Sequence, residues 1–279
     1  MCARSGVIIR RRQRDFSSKL ASSVILCFIV ISICESRLEA QSPTNFKIPT
    51  PLWLPDSTGW LSTVSTTGSI DLANPFFKSL GTNGRSCASC HLPTEAWTIT
   101  PQEVQLRFAA TAGTDPIFRP VDGAVCPSAD TSTVQARYSA YQLLLSKGLI
   151  RISLPVPTNS EFSIVGIQDP YACTETTISQ PAMYRRPLPS TNLKFLSTVM
   201  WDGRENVQGQ AITQDLITQA TDATMGHAQA TVGPTADQLS QIVSFETALF
   251  TAQARDKAAG DLSAKGASGG PALLTTQPF

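Results

Sequence analysis

The sequence predicts a mainly α-helical chain with one small β-hairpin near its middle. Three observations carry that expectation. Thr100-Pro101-Gln102-Glu103 and Thr235-Ala236-Asp237-Gln238 both read as capping boxes, each ahead of apolar residues at helical spacing. Ile212, Leu216, Ala220, Ala223 and His227 recur so that, on one unbroken helix, they share a face within about 80°. Nothing alternates strand and helix in the manner of a βαβ unit.

In chain order, residues 1–40 have the make-up of a signal peptide. Arg10, Arg11, Arg12, Arg14 and Lys19 form a basic start, and residues 21–33 are a mostly apolar core too short for a comfortable span. Ala40 puts a small residue at the cleavage position, although Leu38 departs from the A-x-A pattern, and the alternative is an uncleaved anchor. Ile33 is too bulky to precede a lipidated Cys34. The expectation is export to the periplasm, with no membrane span left after cleavage. Residues 41–74, rich in Pro, Ser and Thr around Trp53 and Trp60, read as an extended lead-in. Residues 75–80 are a short apolar helix candidate ending near Gly81.

The helix opened at Thr100 carries Val104 and Phe108 on one face, with Pro101 at its first position. Val134, Tyr138, Tyr141 and Leu145 fit a further helix that Gly148 stops. Ile150, Ile152 and Leu154 alternate with polar residues, residues 155–160 turn the chain, and Phe162 and Ile164 alternate again, which reads as the hairpin. The helix opened at Thr235 places Leu239, Ile242, Val243, Leu249 and Phe250 on one stripe. Residues 258–279 are Gly-, Ala- and Ser-rich and read as a linker.

The densest chemistry is Cys87-Ala88-Ser89-Cys90-His91, a C-x-x-C-H run. That is the attachment signature of one covalently bound c-type haem: two thiols three residues apart add to the vinyl groups, and the adjacent imidazole becomes the proximal iron ligand. Zinc and a thioredoxin-type pair are the alternatives. Zinc asks for four ligands, and no second Cys/His pair stands at zinc spacing, while a thioredoxin-type pair would follow a strand in a βαβ unit.

The second cluster is Trp201-Asp202-Gly203-Arg204-Glu205, followed by the helical pattern of residues 210–229. His227 and His91 are the two histidines of the chain, so His227 is the one candidate for a second imidazole on the iron. Met183, Met200 and Met225 are alternative distal ligands, and the plain alternative for His227 is a hydrogen-bonded core histidine.

The leader holds seven of the 22 basic and three of the 21 acidic residues, so the remainder carries 15 basic against 18 acidic residues, a net charge of −3. That balance argues against nucleic acid or an anionic membrane as partner. Cys2, Cys27 and Cys34 lie in the leader, which leaves Cys126 and Cys173 beside the haem pair, either joined in a disulfide or as two buried thiols.

N-G-R-S-C-A-S-C-H over residues 83–91, M-W-D-G-R-E over residues 200–205 and the Q-A helix that follows resemble the amino-terminal half of bacterial di-haem cytochrome c peroxidases and their MauG-like relatives. The resemblance implies a cytochrome c-like haem domain over residues 75–257, with a long insertion at about 115–195. It further implies an iron-dependent oxidoreductase that reduces hydrogen peroxide, with a small redox protein or a second haem domain as electron donor. Trp201 matches the tryptophan that relays electrons between the two haems. His227 stands where the family places an acid–base group, so that His227 and Trp201 become the catalytic candidates. That family also needs a second C-x-x-C-H domain, and this chain stops at Phe279, after the linker, where it would begin. A truncated reading frame, a chain cut at a domain boundary and a mono-haem descendant all fit. The competing class is a mono-haem electron carrier without catalysis, its iron closed by His91 and a methionine or His227.

Overall fold

The computed structural model describes residues 46–276, and the segment read as a signal peptide lies outside the described residues. With 30% helix, 17% strand and several antiparallel sheets, the fold is mixed α/β, which corrects the expectation of a mainly α, cytochrome c-like chain. The stretch read as a lead-in supplies β1 (Lys47–Pro49), β2 (Leu52–Pro55), β3 (Gly59–Ser65) and β4 (Ser69–Asp71). The remaining strands are β5 (Ile150–Ser153), β6 (Ala182–Arg185), β7 (Leu249–Asp256) and β8 (Gly260–Asp261). β2, β3, β7 and β8 form one antiparallel sheet in that order, while β1 pairs with β4 and β5 with β6.

Leu249 and Phe250, expected on a helix, open β7 because both of its faces are buried. Leu249 packs with Ile70 and Trp97, and the Phe250 ring lies 5.5 Å from that of Phe195. An apolar run buried on two sides has no period that separates strand from helix. The β2–β3 turn is closed by Asp56, whose Oδ1 accepts from the backbone N–H of Thr58 (2.6 Å) and of Gly59 (2.8 Å). Gly59 is needed there, since a Cβ would stand 2.1 Å from the Arg255 carbonyl oxygen on β7.

β5 forms as expected, but its partner is β6, with Ile150 opposite Arg185, and not the stretch around Phe162 and Ile164. Pro155 and Pro157 cannot donate to a ladder, and Phe162 is left exposed. The long connection is tied down by the disulfide Cys126–Cys173 (Cα–Cα 5.5 Å) and by Asp169, which accepts from the hydroxyls of Thr176 (2.6 Å) and Tyr184 (3.0 Å).

The helices follow their caps. α1 (Pro101–Thr111) begins where the Thr100 hydroxyl accepts from the Glu103 N–H (3.2 Å). The helix expected from Val134 to Leu145 is split into α2 (Val134–Ala140) and α3 (Gln142–Lys147) at Tyr141, whose hydroxyl donates to the Phe118 carbonyl (3.1 Å). α4 (Ile212–Gly226) is the amphipathic helix, α5 (Ala236–Thr247) carries the reciprocal Thr235/Gln238 box, and α6 (Pro271–Leu274) lies in the stretch read as a linker.

Three apolar clusters result. One gathers Ile99, Val104, Phe118, Tyr141 and Leu144; a second Ile70, Phe76, Trp97, Ile242 and Leu249; a third Leu193, Val199, Leu216 and Val243. Cys90 packs on the first and Cys87 on the second, so the C-x-x-C-H run lies across their junction.

Candidate functional site

Cys87–Ser89 form a single 3-10 turn, fixed because the Ser86 N–H donates to Ser89 Oγ (3.0 Å) and the N–H groups of Cys90 (3.1 Å) and His91 (3.0 Å) donate to the Cys87 carbonyl. The turn presents both thiols and the imidazole to one cavity of about 700 Å³. That is well within the range of about 300–1,000 Å³ typical of cofactor pockets. All three residues are half-buried, and the part that is open faces this cavity.

Burial pushes the Cys87 thiol up to about 12, with Glu246 adding to the effect, and burial pushes Cys90 up to about 11. These are protonated thiols rather than the low-pKa thiolate of a thioredoxin-type pair. Among the described residues no three His, Cys, Asp or Glu gather as a metal site. A haem iron, already held by its porphyrin, asks the chain for one or two donors only.

The His91 ring is oriented by Trp97. Ala96 (φ 52°) and Trp97 (φ 66°) are both left-handed, which folds the chain back and points the Trp97 carbonyl at His91 Nδ1, 3.0 Å away. A carbonyl can only accept, so Nδ1 carries the proton and Nε2 keeps its lone pair. Burial, opposed by the hydrogen bonds to the Trp97 and Leu188 backbone, brings the imidazole down to about 4, so it is neutral at pH 7 and able to ligate. Trp97 is itself anchored, fully buried, through its indole N–H to Thr63 Oγ1 (3.1 Å).

His227 caps the C-terminal end of α4 and lines the same cavity. Its Nδ1 lies 2.6 Å from Asp122 Oδ2. Asp122 is also bound by Arg85, two residues before Cys87, whose Nη1 donates to Oδ1 at 2.5 Å. Burial alone would raise Asp122, but Arg85 and His227 outweigh it and hold the carboxyl below its usual range. An ionised carboxylate can only accept, so in the neutral His227 ring the proton is again on Nδ1 and the lone pair on Nε2. The rest of the Arg85 guanidinium donates to the carbonyls of Pro116 (2.9 Å) and Ile117 (2.6 Å).

The two clusters are also stitched together by backbone. Asn83 Nδ2 donates to the His227 carbonyl (2.8 Å), and the Thr82 N–H donates to that of Ala228 (3.1 Å). Gly81 permits this approach, since a Cβ there would stand 2.0 Å from the Ala228 carbonyl oxygen.

Trp201 stands at the cavity rim, 58% exposed, with its indole N–H donating to the Arg186 carbonyl (2.9 Å). Met183 and Met200 line the cavity, whereas Met225 is exposed and does not. Sequence reasoning did not single out Arg85, Asp122 or Glu246. Asp122 has no local pattern that could have shown it. Glu246 has one: it interrupts the apolar series Leu239, Ile242, Leu249 at helical spacing, and it is buried against the same cavity. No family model, curated protein or solved structure matches this chain.

Proposed function

We propose that this chain is an exported c-type haem oxidoreductase of the cytochrome c peroxidase kind, with hydrogen peroxide as its oxidant. The observation that carries the reading is convergence. Cys87, Cys90, His91 and His227 line one cavity, and each imidazole has its Nδ1 held by an acceptor. Covalently held haem would supply a one-electron redox iron within reach of peroxide.

The residues divide the remaining work. Cys87 and Cys90 would anchor the porphyrin edge, and His91 would offer Nε2 to the iron, its basicity raised by the Trp97 carbonyl. Reducing peroxide to water consumes protons as well as electrons. His227 can exchange a proton with the pocket at Nε2, because Asp122 fixes the ring through Nδ1, and Arg85 keeps Asp122 from turning away. The exposed Trp201 at the rim gives a donor protein an aromatic edge close to the pocket. The disulfide Cys126–Cys173 supports an oxidising compartment.

A specific observation also supports the electron-carrier reading. His227, like His91, has its Nδ1 held by an acceptor, which is how the ring of a permanent sixth ligand is fixed in place. One experiment separates the two. The full chain is co-expressed with a c-type haem maturation system and its absorption spectrum recorded with and without peroxide. A peroxidase gives one covalent haem whose spectrum responds to peroxide, and His227→Ala slows that response by about 10²–10⁴-fold. A carrier gives a low-spin spectrum indifferent to peroxide. Absence of covalent haem sinks both.

A further inference from the structure

Glu246 has no role in the assignment above, yet it is the most unusual group of the cavity. It lies on α5, is 5% exposed, lines the pocket, and its Oε2 has no hydrogen-bond partner. A buried carboxylate with one oxygen left without a partner is disfavoured as the charged form unless a positive charge stands near it. Among the described residues no Lys, Arg or His forms an ion pair with it.

Polar groups from several elements share the cavity or its walls with it. From the 3-10 turn comes Cys87, whose thiol it helps to keep protonated. From the 186–193 stretch comes Ser190, whose hydroxyl favours the carboxylate, and from β7 comes Thr251, whose hydroxyl is engaged by Thr63 (2.8 Å) and Thr191 (3.0 Å). On α4, Asp215 is held by Asn206 and the Val207 N–H, and His227 by Asp122. Lys78 reaches the cavity from beyond the turn at Phe76, and is exposed.

Glu246 is also connected to the proximal side. The Ser190 backbone N–H donates to the Trp97 carbonyl (3.0 Å), the same oxygen that takes the His91 Nδ1–H (3.0 Å). A change of charge at the carboxyl is therefore two hydrogen-bonded residues from the imidazole that would bind the iron.

We propose that Glu246 is the proton partner of the iron, taking up one proton from water when the bound haem accepts one electron from a donor protein and releasing it on reoxidation. The proposal rests on the haem reading. In the step the carboxylate would gain an O–H bond as the haem took up one electron from the donor protein, so the net charge of the pocket would be unchanged. Keeping charge constant in a low-dielectric site is what favours coupling the two events. Burial, opposed by Ser190, has already pushed Glu246 up to about 7 without the iron's charge. The ferric charge would lower it and the ferrous state would let it rise, opening a pH window in which reduction and protonation go together.

The test is the midpoint potential of the haem-loaded full chain, followed spectroelectrochemically against pH. In the window the potential should fall as pH rises, approaching the one-electron, one-proton limit of about 59 mV for each tenfold change in proton concentration. Glu246→Gln should flatten that slope. Ser190→Ala should move the window to higher pH, a displacement that a merely structural serine would not cause. If Glu246→Gln fails to fold, redox-difference infrared spectra of the wild type and Ser190→Ala decide the matter, since a protonated-carboxyl band must appear on reduction. A wild-type potential indifferent to pH, or a slope retained in Glu246→Gln, overturns the proposal while leaving the haem reading intact. A chain without covalent haem overturns both.

Discussion

Asp122 binds two cationic or cation-forming partners at once, Arg85 at 2.5 Å and His227 at 2.6 Å, in a setting where Arg85 is 2% exposed. Removing one member of such a buried pair costs about 3–5 kcal/mol, because the other charge is left without water or partner. Asp122→Asn should therefore lower the unfolding free energy by about that amount in urea melts at pH 7. The pH dependence has a definite sign. Because the folded carboxyl is held below the usual 3.8, the unfolded chain takes its proton first as pH falls. The stabilisation is thus fully present above that value and is lost as pH drops through the lower folded one. Asp122→Asn should lack this acid limb. Identical acid limbs in the two proteins would show that the carboxylate is not depressed. At the same scale, His91→Ala should leave little correctly ligated haem, and an unchanged haem spectrum would remove His91 from the proximal position.

At the scale of elements, Gly81 controls how closely the stretch before the C-x-x-C-H run lies on the end of α4. A methyl at Gly81 would meet backbone, the Ala228 carbonyl at 2.0 Å, and backbone cannot swing aside as a side chain does. Gly81→Ala should cost about 1–3 kcal/mol and, in haem-loaded protein, should alter the spin state by displacing His227. A melting curve and spectrum like those of the wild type would mean that the two segments are not clamped. The disulfide is the other element-level tie. With a sequence separation of 47, replacing both Cys126 and Cys173 by Ser should lower stability by about 4 kcal/mol on chain-entropy grounds. A double variant as stable as the wild type would mean that Asp169 and its partners hold the 154–181 connection alone. The same scale explains what could be read from sequence. The starts of α1 and α5 were legible because a cap signal lies within four residues, and the C-x-x-C-H turn because its chemistry is equally local. β3 and β7 were not legible, since the Thr63 and Thr251 hydroxyls that meet at 2.8 Å are 188 residues apart in the chain. Asp122 was hidden for the same reason, its partners lying 37 and 105 residues away. His227 could be found because helical period carries information over fifteen residues.

For the whole molecule, the position of the cavity matters more than its size. Ile150 comes to its wall from the first apolar cluster, Ala220 and Ile242 from the second, and Leu193, Val199 and Leu216 from the third. Three cores that meet around about 700 Å³ of open space lack the contacts that close-packed interiors make across such a junction. A porphyrin seated there would complete all three, and a group bound by the folded chain alone stabilises it. Haem-loaded protein should therefore unfold at a higher temperature than the same chain with Cys87 and Cys90 both changed to Ser and no haem retained. The difference should exceed what the two substitutions produce in haem-free wild type, which is the control to run beside it. The haem-free chain should also exchange amide protons fastest where the three cores meet, on α4 and α5, while β3 and β7, paired from Gly59 to Ser65 apart from a bulge at Ala254, stay protected. Equal melting temperatures with and without haem would mean that the cores are joined without it. The cavity would then be a pocket for some other ligand, and the C-x-x-C-H run would need another explanation.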